Sequence, residues 1–389
     1  MSIKNNNFHY CPNCLSTSLR PNGWFDKGSL CFPCESDKNM VFTDYLSRVN
    51  ALRSYVSELK SKDTANLNPQ YDCVVGVSGG KDSTRQALWV RERLGMKPLL
   101  VCVTYPPIQS TELGKDNLTN LIELGFDIVT YTPAPDTSRK LTRESFYNFG
   151  NVSKATEMAL HSQVPKVAMI ENIKLIFWGD NPATQTGDMA TLGKNVFDGN
   201  NLCKMNTLTD GDSDWILSAA PLKSQHETYF YPDASYIESQ GINTLYLGPA
   251  LDRWTMVDNS IFSILHGLLP NNKSSISTGD YLKTSMLDEE YTNINMMIKY
   301  YKFGFGRATD LVNGLIRDGS MTRKEAIDIV EEMDGRCSDE IIMSFCDYIE
   351  ITVGEFWGVV NKYVNKDLFY ISKSQRPKSR FKVGEGLVS

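Results

Sequence analysis

Tyr71-Asp72-Cys73-Val74-Val75-Gly76-Val77-Ser78-Gly79-Gly80-Lys81-Asp82-Ser83 is the stretch that decides the fold. Tyr71 to Val77 is a short apolar run and reads as a buried strand. The run breaks at Gly79-Gly80, and Asp82 to Leu94 then carries helical spacing as far as Gly95. A strand feeding a helix through a glycine turn makes an anion site. Glycines let the backbone turn sharply and approach a ligand closely. The helix start offers unpaired amides and the positive end of its dipole. Ser78 and Ser83 add hydroxyl donors, and Lys81 adds a point charge. Asp82 is out of place beside phosphate unless a cation lies between them, so it is read as a Mg2+ ligand.

Working outward, Leu99–Thr104 and Phe126–Tyr131 read as strands, and Glu112–Leu124 between them reads as a helix stopped by Gly125. Ile173–Trp178 is a fourth strand, ending at Gly179. Strands alternating with helices at this spacing predict an α/β fold, a parallel sheet with helices on both faces. Upstream, Leu46, Val49, Leu52, Val56 and Leu59 share helical spacing within 41–62, and Asn66-Leu67-Asn68-Pro69 reads as a linker. The region 185–285 is mixed, with an aromatic cluster at Tyr229-Phe230-Tyr231. Beyond it the pattern is helical. Thr322–Glu325 and Thr352–Glu355 both fit a capping box. Lys373, Arg376, Lys378, Arg380 and Lys382 form a basic tail, expected to be solvated and poorly ordered.

Near the N-terminus, Cys11-x2-Cys14 and Cys31-x2-Cys34 stand sixteen residues apart. Two such pairs suit one tetrahedral Zn2+ held by four thiolates, a closed and therefore structural site. An iron–sulfur cluster is the competing occupant and a redox pair the lesser one. Cys73 and Cys102 lie inside apolar strands and read as core. Cys203, Cys337 and Cys346 carry no neighbouring signal. His161, His226 and His266 are isolated and read as structural.

The chain has 389 residues, 41% hydrophobic and 22% charged, with nine cysteines and a net charge of −6. That is ordinary soluble composition. The acidic balance disfavours bulk nucleic-acid binding. Met1–Tyr10 lacks the apolar core of a signal peptide, and no run approaches the ~18 apolar residues of a membrane span. A cytoplasmic protein is expected, with no membrane partner.

The loop is not a Walker A motif. Gly76 and Gly80 enclose three residues rather than four, and Lys81 is followed by Asp82. Ser78-Gly79-Gly80-Lys81-Asp82-Ser83 instead resembles the SGGxDS loop of the ATP-pyrophosphatase (PP-loop) superfamily. That resemblance implies that ATP is bound with its β- and γ-phosphates held as leaving pyrophosphate. AMP passes to a carbonyl oxygen, and adenine sits near Val103-Thr104-Tyr105.

Within the superfamily the chain resembles the bacterial N-acetyl sugar amidotransferases of surface-polysaccharide and pseudaminic-acid-type pathways. The match rests on the Cys pairs with Trp24-Phe25-Asp26, and on Ile176-Phe177-Trp178-Gly179-Asp180-Asn181, where Asp180 replaces a Glu. It rests also on Lys302–Asp310 with Ile316–Gly319 and Met321–Ala326. Residues 185–275 depart from the family: Tyr246-Leu247-Gly248 is present, but Thr255 rather than Asp follows Trp254.

The resemblance implies catalytic roles for Lys81, Asp82, Asp180 and Arg307. Nucleotide contacts are implied for Ser78, Gly79, Gly80, Lys81, Asp82, Ser83, Thr104, Gly179 and Asn181. The metal ligands are Cys11, Cys14, Cys31 and Cys34 for zinc and Asp82 for Mg2+. The expected parts are a zinc module (1–40), a helix and linker (41–70), and an ATP-binding domain (71–184). A mixed region that forms the acceptor pocket (185–285) and a helical domain (286–389) follow. The implied reaction replaces the oxygen of a sugar's N-acetyl carbonyl with nitrogen from ammonia, giving an acetamidino group. ATP is cleaved to AMP and pyrophosphate, and a separate glutaminase subunit supplies the ammonia. A tRNA-thiolating PP-loop enzyme is the alternative. The acidic balance and the lack of a further CxxC argue against it. A non-catalytic zinc scaffold is a third reading, opposed by the intact loop.

Overall fold

The computed structural model describes residues 8–40, 44–62, 68–106, 108–209, 214–251, 254–273, 275–371 and 376–388. Val41–Thr43, Asn66, Leu67 and Lys373, assigned above to helix, linker and tail, lie outside them. Five parallel strands form one sheet in the order β3-β2-β1-β4-β5. They are β1 (Cys73–Val77), β2 (Pro98–Val103), β3 (Ile128–Tyr131), β4 (Leu175–Trp178) and β5 (Asn243–Tyr246). The chain builds outward from β1 to β3, then crosses back to lay β4 against the other side of β1. The strand order therefore reverses between β1 and β4, where the loops leaving adjacent strands diverge and open a crevice.

Alternation of side chains along each strand splits the apolar residues between two faces. Val75, Leu100, Phe177 and Leu245 pack with Val49, Leu52 and Val56 of the helix Tyr45–Lys62 and with Leu88 of the helix Lys81–Arg93. Val74, Val101 and Ile176 pack with Val164 and Ala168 of the helix Lys154–Ile170. Both faces are thus covered, as the unbroken apolar runs predict. Leu46 departs from the pattern. It stays 68% exposed, because the packed stripe of its helix begins one turn later at Val49.

The sheet does not end at residue 184. Its fifth strand comes from the region read as mixed, because four residues between irregular turns are too short for periodicity to register. A helical domain follows: Thr292–Phe303, Arg307–Arg317, Arg323–Met333, Asp339–Ile349 and Val353–Tyr363. They share a core that includes Ile294, Ile298, Val312, Phe345 and Phe356. Thr322 and Glu325 form the full capping box. Thr352 caps the amide of Glu355 at 3.1 Å, but the Glu355 carboxylate accepts the Tyr147 hydroxyl instead of closing the box. The basic tail is a correction. Phe369–Ile371 pairs antiparallel with Pro377–Ser379, and buried Phe381 packs on Phe369 and Phe8, so aromatic anchors fold the tail onto the domain. No helix among the described residues is long and apolar enough to cross a membrane.

The N-terminal module docks on this helical domain. Leu15 N donates to Asn313 Oδ1 at 2.7 Å. Arg20 pairs with Asp310, which also accepts from Lys299 Nζ at 2.6 Å, and the Arg20 guanidinium lies 4.0 Å over the Phe305 ring. Burial alone would raise the Asp310 carboxyl, but Arg20 and Lys299 outweigh it and hold it well below the usual range. Asp310→Ala leaves two cations facing each other with little water. It is expected to cost about 3–5 kcal/mol in a urea titration.

A second buried carboxylate sets the start of the helix Arg307–Arg317. Asp334 accepts from Gly306 N at 2.8 Å and Ala308 N at 2.8 Å. Gly306 is bare for that reason, since a Cβ there would sit 2.7 Å from Asp334 Oδ1. Burial pushes the Asp334 carboxyl up to about 6. Between about pH 4, the ordinary value, and that figure the folded state holds the extra proton. The stability it contributes is therefore present below pH 4 and lost as pH rises through 6. Asp334→Asn should flatten that fall when melting temperature is followed from pH 4 to 7.

Candidate active site

The loop leaves β1 and enters the helix Lys81–Arg93 at the strand-order reversal. Gly79 takes φ +83°, and a Cβ there would meet the Leu118 amide nitrogen at 3.0 Å. Ser78 N donates to Ser83 Oγ at 2.8 Å, pinning the two ends of the turn together. No side chain caps the first turn of the helix. Uncapped amides and the helix dipole at this position are features that favour an anion. Ser263 Oγ donates to Lys81 O at 2.6 Å and ties the turn to the helix Met256–Leu265.

Beside the loop lies a cavity of about 560 Å³. Lys81 and Asp82 reach it from the helix start, Asp180 from the end of β4, and Arg307 from the helical domain. Lys81 Nζ donates to Asp82 Oδ2 at 2.5 Å and Asn259 Nδ2 to Asp82 Oδ1 at 2.5 Å. Burial would raise Asp82, but Lys81 and Asn259 outweigh it and leave the carboxyl below its ordinary value. Asp180 is open to the cavity yet walled by protein. Incomplete hydration, then the charge of Asp82, push its carboxyl up to about 6. Arg307 donates to Ser285 Oγ, while its buried Nε finds no partner among the described residues. Two hard oxygen donors converging from neighbouring strand ends suit Mg2+, and each Asp82 oxygen keeps a free lone pair.

The four residues expected to be catalytic thus meet in one cavity. Ser78, Gly79, Gly80 and Ser83 sit behind it on the loop and do not line it. Thr104 and Asn181 are placed elsewhere. The Thr104 hydroxyl meets that of Thr132 at 2.5 Å, past the end of β2. Asn181 is 1% exposed; it caps the turn Pro182–Thr186 through Ala183 N at 3.0 Å and donates to Val196 O at 2.9 Å. Gly179 lies under an indole, where a Cβ would come within 2.4 Å of the Trp254 ring.

Sequence reasoning missed Trp254 and Asn259. The Trp254 ring also covers Gly248, and its Nε1–H donates to Asp180 Oδ1 at 2.5 Å. Thr255 follows because it caps the helix Met256–Leu265, accepting from Asp258 N at 3.1 Å. That helix carries Asn259 to Asp82. A Thr three residues before an acidic residue, opening an apolar run, was the signal available.

Cys11, Cys14, Cys31 and Cys34 bring all four sulfurs within 4.8 Å of one another. The Cys14–Cys31 and Cys11–Cys34 separations are 3.6 and 3.9 Å. A tetrahedron with Zn–S bonds of about 2.3 Å has edges of about 3.8 Å, so the set fits zinc. Ser16 N and Cys31 N each point at a sulfur at 3.4 Å, donors that stabilise thiolate. The helix Phe32–Met40 starts within the second pair and carries Asp37 into the cavity wall, where Arg317 Nε donates to it at 2.7 Å. The four-cysteine module therefore contributes to the cavity wall. Emission spectroscopy should find one zinc per chain, lost in Cys34→Ser. Iron with visible absorption would reassign the site to a cluster.

Residues 280–384 match the family described as LPS biosynthesis protein WbpG-like, C-terminal domain. A search of curated proteins finds no match. Among solved structures, NMN synthetase from Francisella tularensis is similar at 14% identity, covering 65% of this chain and 92% of that one, with a TM-score of 0.29. The NH3-dependent NAD synthetase from Campylobacter jejuni subsp. jejuni NCTC 11168, in complex with the nitrate ion, is similar at 13% identity. It covers 66% of this chain and 96% of that one, with a TM-score of 0.31. At these scores the fold rests on the chain's own strand order and loop. The chain is thus an α/β protein built on a five-stranded parallel sheet, and its residues 280–384 are similar to the C-terminal domain of WbpG-like LPS biosynthesis proteins.

Proposed function

We propose that the chain is an ATP-dependent, AMP-forming amidotransferase acting on the acetamido group of a nucleotide-linked sugar. The observation that carries this is the position of Asp82. The phosphate loop lies behind it, the cavity in front, and the second carboxylate, Asp180, beside it. One cavity of about 560 Å³ is the size of a single small-molecule site. Since the loop residues Ser78, Gly79, Gly80 and Ser83 do not line it, the acceptor takes the cavity and ATP the loop.

The loop amides and Lys81 hold the β- and γ-phosphates. The acceptor's amide oxygen attacks the α-phosphorus; the new O–P bond forms as the bond to pyrophosphate breaks. Ammonia then adds to the activated carbon and AMP departs with the original carbonyl oxygen, leaving an amidine. Mg2+ held by Asp82 and Asp180 would neutralise charge on the departing pyrophosphate. The Arg307 guanidinium in the cavity wall is a donor for the α-phosphate as charge develops there. Asp37 and Arg317 give the far wall both acceptors and donors for sugar hydroxyls. Ammonia would come from a separate glutaminase. No cysteine lines the cavity, which weighs against sulfur transfer to tRNA.

The test is to incubate the chain with ATP, 15N-ammonium and a panel of N-acetylated nucleotide sugars. AMP and pyrophosphate should appear in step with 15N-labelled product, and Asp82→Asn should slow turnover by roughly two to three orders of magnitude. ADP as the nucleotide product would sink the mechanism.

A further inference from the structure

We infer that Trp254 and Asn259 are positioning residues that aim the Asp180 and Asp82 carboxylates at a shared divalent cation. The inference rests on the cation reading of the proposed function. Two ionised carboxylates facing one cavity repel each other, and free rotation would let them turn apart. Each is held on Oδ1 by a donor from one stretch of chain, and Asp82 also takes Lys81 Nζ on Oδ2. The Trp254 indole N–H binds Asp180 Oδ1 at 2.5 Å, and the Asn259 amide binds Asp82 Oδ1 at 2.5 Å. The second oxygen of Asp180 and the lone pairs left on Asp82 remain for a metal.

Both donors come from the short stretch 254–259, stiffened by the Thr255 cap at the start of its helix. Arg85 couples them. Its Nη1 donates to Asn259 Oδ1 at 2.5 Å, which fixes the amide so that its NH2 end faces Asp82. Its guanidinium also lies 5.5 Å from the Trp254 ring centre. The indole has a purpose-made seat. A Cβ on Gly179 would come within 2.4 Å of the ring, and one on Gly248 within 2.9 Å. A tryptophan that merely filled space would need neither the bare glycines nor a carboxylate at its N–H. Groups that orient metal ligands from behind typically change metal affinity 10–100-fold when removed.

Mn2+ serves as the probe, titrated by electron paramagnetic resonance into the full-length, zinc-loaded chain with and without ATP. Trp254→Phe keeps a ring but removes the donor; Asn259→Ala removes the other. Each should weaken Mn2+ binding in the presence of ATP by about tenfold or more. Metal-free ATP affinity should stay within about twofold, because Asn259 meets the loop only at the Asp82 carboxylate and Trp254 donates to Asp180, away from the glycine amides and serine hydroxyls. Wild-type-like Mn2+ affinity in both folded variants overturns the inference. A wild-type readout guards against variants that do not fold. With the six tryptophans labelled at indole 15N, one indole N–H resonance should shift when Mg2+ joins ATP. No shift in any of them overturns the Trp254 role. Wild-type protein that binds no Mn2+ with ATP sinks the cation reading itself, and this inference with it.

Discussion

The pairing of β1 with β4 is the constraint on which the site depends. Val74 sits opposite Ile176 and Val75 opposite Phe177, so the two chains leave the sheet edge side by side. Parallel strands separated by almost a hundred residues of helix and strand reach this register only if their faces fit. The fit is tight: a Cβ on Gly76 would lie 2.5 Å from the Trp178 ring. That register brings the loop Ser78–Ser83 and Asp180 to the same end of the sheet. Neither carboxylate has a partner site without the other strand.

Around this edge, distant parts of the chain act as one wall. The Cys module reaches the cavity through Asp37, the first long helix through Tyr45 and Arg48, and the helical domain through Arg307 and Arg317. Ion pairs with restricted access to water, Asp37 with Arg317 and Asp310 with Arg20 and Lys299, join the module to the domain. Their charges are attractive because water is scarce there, and breaking one partner would strand the other. The four-cysteine module therefore forms part of the cavity wall.

Electrostatics at the site follow from the same crowding. Asp82 is satisfied by Lys81 and Asn259 and stays low. Asp180 has one indole donor and a neighbouring carboxylate, and is pushed up to about 6. Two acids in one cavity with opposite shifts mark it as a functional-site candidate.

The sequence by itself determined the glycine turn between strand and helix, the four clustered cysteines, four strands of the sheet and the Thr-capped helices. These are local patterns, carried by a few adjacent residues whose backbone or side-chain chemistry leaves few readings. Lys81, Asp82, Asp180 and Arg307 were legible because they stand in or beside such strings. Only the tertiary structure decided that β5 joins the sheet, that the basic tail folds back on Phe381, and that Asn181 caps a turn. It also revealed Trp254, Asn259 and Asp334, whose partners lie 74, 177 and 26 to 28 residues away. A hydrogen bond across such distances leaves no spacing in the sequence. It exists only once the packed strands and helices have fixed where each donor points.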